Sequence, residues 1–201
     1  MSTLTWPTLS RSAPPELVWG LRSNTQTFES PLSGAVQTLE MPGARWVVSF
    51  SMPSLNSADA ATLRAFLVRL RGEAGRFYLH NMAQARPRGV ATGTPLVNGA
   101  GQTGTSLATD GWTPSQAGIL KAGDFIGVGG ELKMVVQDCD SDATGAATIV
   151  FEPPLRASPA DNAALVTNKP TAIFKLDESR SAWTTNAPGL DSFSIAATEV
   201  W

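Results

Sequence analysis

The chain has 201 residues and a formal net charge of −2, with 42% hydrophobic and only 16% charged residues. That balance belongs to a chain with a packed core rather than a disordered one, and its sign is wrong for a protein that grips nucleic-acid phosphates. One cysteine, Cys139, and one histidine, His80, exclude an intrachain disulfide, a cysteine-based zinc site and a histidine-cluster metal centre within one chain.

No run approaches the roughly 18 apolar residues of a membrane span. The start, Met1-Ser2-Thr3-Leu4-Thr5-Trp6-Pro7, has neither a basic nor an apolar leader segment, so no secretory signal is expected. The 18 glycines and 14 prolines favour short elements over long helices.

In chain order, Glu16–Leu21 reads as a short strand after Pro14-Pro15. Ala35–Met41 reads as a second, and Pro42-Gly43 as the turn that follows it. Arg45–Met52 places Trp46, Val48, Phe50 and Met52 on one face at period two, with Ser49 and Ser51 opposite. The last two runs are expected to pair as an antiparallel hairpin. Beyond Pro53, Asn56, Ser57 and Asp59 offer helix caps, and Leu63, Phe66, Leu67 and Leu70 recur at helical spacing. The helix is predicted over 57–72, with Gly72 as its stop. Burying its four apolar side chains contributes about 6–12 kcal/mol gross, at about 1.5–3 kcal/mol each.

Gly75–His80 reads as the next strand. From Arg86-Pro87-Arg88-Gly89 to about Pro170 the chain turns rich in Gly, Thr, Ala and Asp. Strands are expected at Thr94–Val97, Thr105–Thr109, Asp124–Val128, Glu131–Val136 and Ala146–Phe151. The Gly129-Gly130 hairpin joins the third and fourth, and Pro153-Pro154 ends the last. Ala172–Leu176 and Ser192–Ala196 read as strands again, with the composition of the first 86 residues. The fold class is mainly β: a β-sandwich with one packed helix, plus an inserted small antiparallel barrel of OB-like or galectin-like type. The expected domains are 1–86 with 171–201, and 87–170.

Motif by motif, the chemistry is sparse. Gly99-Ala100-Gly101-Gln102-Thr103-Gly104 spells G-x-G-x-x-G, but a β-like run follows it where a dinucleotide site needs a helix N-terminus. It reads as a glycine loop. Asp138, Asp140 and Asp142 alternate as in a calcium loop, yet Ala143 and Ile149 stand where an EF-hand has Gly and Glu. They read as a solvated turn, with a non-EF cation site left open. His80 reads as a packed or capping residue. No G-x-S-x-G elbow is present. No catalytic, cofactor-binding or metal-ligating residue is assigned.

Eleven arginines stand against four lysines. Arg64, Arg69, Arg71 and Arg76 gather around the helix and are the candidate interface residues, since arginine is favoured for bidentate pairing at interfaces. The six tryptophans read as core anchors first and interface anchors second.

Three stretches of the first domain carry a likeness: Met41-Pro42-Gly43-Ala44-Arg45-Trp46; the helix Ala60–Leu67 with Leu70-Arg71-Gly72; and Gly75–Leu79. Together with Leu120–Ile126, Pro153-Pro154-Leu155-Arg156 and Lys169–Leu176, they make the chain resemble a tail protein of long-tailed bacteriophages, nearest to the distal tail protein family. The resemblance implies a non-enzymatic ring subunit, commonly a hexamer, between the tail tube protein and the tip hub, with side fibres as further partners. It implies residence in the virion tail tip after synthesis in the host bacterial cytoplasm, with no cofactor, no nucleic-acid recognition and no membrane span. The inserted position of the second module departs from the family plan. The first domain is expected to make the ring and the module to face outward.

Two other functions compete. One is a glycan-binding module in which Trp112, beside Asp110 and Gly111, is the stacking platform. The other is a tail-associated cell-wall hydrolase using paired carboxylates, for which no pair stands out.

Overall fold

The computed structural model describes residues 2–10, 13–186 and 189–201. The protein is mainly β, with a sandwich, one packed helix among the described residues and a small antiparallel barrel; its two sheets are curled into half-barrels. No described helix is long and apolar enough to cross a membrane. The chain divides into two compact units, Met1–Arg76 with Phe174–Trp201, and Phe77–Ile173.

The first sheet contains β1 (Leu4–Thr5), β2 (Glu16–Glu29), β3 (Val36–Leu55), β4 (Phe77–His80), β10 (Thr171–Leu176) and β12 (Leu190–Glu199). Their order is β1-β4-β10-β12-β3-β2, with β11 (Thr184–Asn186) pairing β12 off that path. Trp46, Val48, Phe50 and Met52 are all at most 4% exposed, so the period-two face lies in the core as the alternation requires.

The helix α1 runs Ser57–Leu70. The side chain of Asn56 caps it, accepting from the Asp59 amide at 2.9 Å. Leu63, Phe66, Leu67 and Leu70 are buried. Trp6 couples helix to sheet, its ring centroid 5.3 Å from that of Phe66 and 5.4 Å from that of Phe50, edge to face in both cases. The helix stops two residues before the expected end. Arg71 takes the left-handed conformation (φ 54°) and Gly72 follows at φ 64°. At Gly72 a Cβ would lie 2.4 Å from the Ser179 carbonyl oxygen, so both its backbone angle and its surroundings require glycine.

The expected hairpin between 35–41 and 45–52 does not form. Both runs lie in one strand, β3, whose partner is β2 from Glu16↔Ser51 out to Glu29↔Val36. The Pro42-Gly43 signal marks a bulge instead of a turn. Between Arg22↔Arg45 and Asn24↔Met41 the register shifts, leaving Pro42, Gly43 and Ala44 opposite Ser23. Gly43 sits at φ 113°, and the Asn24 amide donates to the Pro42 carbonyl at 2.8 Å. A bulge satisfies the same turn-forming residues without reversing the chain.

The second sheet is β5 (Gly93–Val97), β6 (Gly104–Trp112), β9 (Ala147–Leu155), β8 (Glu131–Val135) and β7 (Phe125–Val128), in that spatial order. Gly129 and Gly130, both at positive φ, make the two-residue hairpin between Val128 and Glu131. β9 continues through Pro153-Pro154 to Leu155, which lies beyond the expected stop. The core of this unit is Leu107, Trp112, Ile119, Leu120, Ile126, Val135, Ile149 and Phe151 with their neighbours.

Candidate functional site

Four of the exposed large apolar side chains among the described residues, Phe28, Leu32, Val36 and Leu39, lie on the outer part of the β2–β3 pair. β12 covers β3 only from Val47 to Leu55, so among the described residues the ribbon formed by 23–29 and 36–44 has no third strand. Its turn is closed by Ser30 N–H to the Ala35 carbonyl at 2.9 Å and Gly34 N–H to the Ser30 carbonyl at 2.9 Å. Leu32 at that turn is 99% exposed, and Phe28, Val36 and Leu39 are each more than half exposed. A lone two-stranded ribbon is marginal in water, and edge strands facing solvent are ordinarily blunted by lysines. Residues 16–45 contain no lysine.

This arm is nearly silent in the amino-acid pattern. Arg22–Glu29 is polar and lacks the apolar alternation that marks a strand. The usable signals are the β-favouring Thr25, Thr27, Phe28, Val36 and Thr38 and the Pro31-Leu32-Ser33-Gly34 turn.

The four candidate interface arginines fall into two places. Arg64 is engaged within its own unit: its Nε lies 3.3 Å from Asp191 Oδ2, and its guanidinium is 5.7 Å from the Trp183 ring centroid. Arg69, Arg71 and Arg76 instead line one notch of about 160 Å³ together with Ser2, Leu4, Leu70 and Gly75. Arg76 is fixed there by donating through Nη1 to the carbonyls of Glu73 at 2.8 Å and Gly75 at 2.9 Å. Glu73 itself faces Lys175 (2.8 Å) and the Ser179 hydroxyl (3.0 Å), which hold its carboxyl below the usual range.

Trp112 is not a stacking platform. It is 3% exposed and belongs to the core of the second unit, with its Nε1–H donated to Thr109 Oγ1 at 2.8 Å. Strand alternation continued from Leu107 and Thr109 would turn Trp112 outward, but Gly111 at φ 75° interrupts it and the ring is buried, so neither face is open to a sugar.

Of the three alternating aspartates, Asp142 holds its own turn, while Asp138 and Asp140 hold the 118–122 segment. Asp138 accepts from Lys121 Nζ (3.0 Å) and the Ala122 amide (2.9 Å). The Ala122 amide first and Lys121 second hold its carboxyl low. Asp140 accepts from the Gly118 amide at 2.6 Å. Asp142 accepts from the Thr144 hydroxyl (2.7 Å), the Thr144 amide (2.8 Å) and the Ala146 amide (2.9 Å), and the Thr144 hydroxyl is the main cause of its lowered pKa. No group of three or more potential metal ligands is present among the described residues.

The G-x-G-x-x-G stretch connects β5 to β6. Gly99, Gly101 and Gly104 all sit at positive φ, and Gln102 fills the loop, donating to the carbonyls of Asn98, Gly99 and Ala108 and accepting from the Ala108 amide. His80 ends β4 half-buried, its pKa lowered by burial and then by Lys169. Cys139 is buried, which raises its thiol pKa, and its Sγ–H reaches the Thr148 carbonyl at 3.3 Å. A thiol in that setting is packing, not a nucleophile. A cleft of about 280 Å³ beside Trp183 has Glu178 as its one carboxylate among the described lining residues, where two-carboxylate hydrolysis needs a facing pair.

No protein-family model matches the chain, and no curated protein matches it.

Proposed function

We propose that this protein is a non-enzymatic structural subunit of a bacteriophage tail tip, a distal-tail-like ring component that links the tail tube to the tip complex. The sequence resemblance supplies the tail assignment. The observation that supports the structural role is the β2–β3 arm, with no further strand paired to it beyond the bulge among the described residues and with Phe28, Leu32, Val36 and Leu39 exposed on it. Such a surface suits assembly with a partner. A closed ring is built from head-to-tail contacts between two different patches of one chain. A net charge of only −2 leaves little repulsion between copies.

Native mass measurement and negative-stain imaging of the purified protein test this. The expected result is a ring of several copies, six by the resemblance, that binds purified tail tubes. A protein that stays monomeric at high concentration and ignores tail tubes overturns the proposal. So does peptidoglycan hydrolysis that one Asp or Glu substitution abolishes.

A further inference from the structure

The ring reading leaves open which surface meets which. Two features of the first unit answer each other in charge. Between Ser23 and Ala44 the only ionised side chains are Glu29 and Glu40, so the arm beyond its bulge carries two negative charges and no positive one. The pairings Thr25↔Glu40, Thr27↔Thr38 and Glu29↔Val36 put both glutamates on the same face of the ribbon, since directly opposed residues share a face. They are four ladder positions apart, roughly 13 Å at the rise of a strand.

The notch holds the opposite sign. Arg69, Arg71 and Arg76 converge on it from the end of α1, the left-handed residue after α1, and the turn before β4. Arg76 is pinned to the backbone carbonyls of that turn, whereas Arg69 and Arg71 stand exposed at the rim. Arg71 takes its φ of 54° as the left-handed cap of α1, its amide donating to the Val68 carbonyl at 3.1 Å. Val68, just before Arg69 on the helix, is 58% exposed and offers an apolar neighbour to the arm's own apolar side chains.

Position completes the match. The notch, lined by Ser2 and Leu4, and the arm, built from β2 and β3, are different patches of the first unit. A contact between two different patches is head-to-tail: each copy that fills its neighbour's notch leaves its own notch open for the next, as ring closure requires.

We infer that the arm of one copy docks in the arginine notch of the next, with Glu29 and Glu40 facing Arg69, Arg71 and Arg76. This rests on the ring reading, and it names the second copy of the chain as the partner of both surfaces.

Charge reversal on the full chain tests it. Arg69→Glu with Arg71→Glu, and separately Glu29→Arg with Glu40→Arg, each weaken self-association at least tenfold by sedimentation or native mass. All four positions are exposed, and circular dichroism checks that each variant keeps its fold; Arg69→Gln with Arg71→Gln gives a milder form of the same loss. The chain carrying all four reversals regains association, because the pairing is restored with its signs exchanged. Self-association also weakens as salt is raised from about 0.05 to about 0.5 M. A wild-type ring indifferent to either pair of reversals, or a fourfold reversal that fails to recover, overturns the docking and leaves the ring standing. A wild-type chain that never self-associates overturns the ring reading and this inference with it.

Discussion

Asp124 fastens the second unit through four hydrogen bonds, and its removal is the sharpest test of how that unit is stabilised. The carboxylate is fully buried. Oδ1 accepts from Gln84 Nε2 at 3.0 Å and the Arg88 amide at 2.8 Å; Oδ2 accepts from the Gly89 amide at 3.1 Å and the Lys121 amide at 2.8 Å. Four donors thus converge on two oxygens, tying the 84–89 segment to the turn that enters β7. Asparagine has the same shape but one oxygen. Whichever way its amide is turned, two donors face an NH₂ group and lose their acceptor. At about 1.5–3 kcal/mol for each hydrogen bond to a charged group, Asp124→Asn costs about 3–6 kcal/mol. For a unit of this size about 1 kcal/mol moves the melting temperature by roughly 4–8 °C, so calorimetry should show the transition of this unit at least about 12 °C lower. Arg88→Gln is the comparison. It removes an ion pair at 3.5 Å from a side chain 63% exposed and leaves the backbone donors in place, so it costs about 1 kcal/mol or less. An Asp124→Asn melt within about 3 °C of wild type, or an Arg88→Gln loss as large as that of Asp124→Asn, refutes the reasoning.

Leu67, 4% exposed on the inner face of α1, becomes a buried unpaired charge in Leu67→Asp. We expect at least about 4 kcal/mol of destabilisation and loss of the helical circular-dichroism signal. Trp112→Phe keeps an aromatic ring in the core but deletes the bond to Thr109, costing about 1 kcal/mol in chemical denaturation; glycan-array binding that disappears with this substitution would contradict the buried placement. His80 gives the pH dependence. Burial and then Lys169 depress its folded pKa below the ordinary 6.5, so the unfolded chain binds the proton more readily. The contribution of His80 is full above about pH 6.5 and declines as pH falls toward the lowered folded value. Thermal stability should drop from about pH 7 to about pH 5.5, and His80→Gln should flatten that slope. The lowered carboxyls of Asp138, Asp142 and Glu73 act only in the more acidic range, so they do not mask it.

Local chemistry was legible in the sequence wherever one short segment decides its own conformation. Trp46–Met52 announced a one-sided strand, Asn56 and the Leu63–Leu70 spacing announced the helix, and Gly129-Gly130 announced a hairpin, because period, cap and φ preference act over a few residues. What needed the tertiary structure was the choice of partner. Pro42-Gly43 reads as a turn, and the long pairing with β2 makes it a bulge. Trp112 stands in a glycine-rich, loop-like stretch, and only the packing of β6 over the second core turns it inward. Arg64 and Arg69 look alike along the helix, yet Asp191, from the other end of the chain, claims the first and leaves the second at the notch. Strand pairing, burial and ion pairing join residues far apart in sequence. Composition and spacing restrict those encounters, and the energy of the assembled core selects among them.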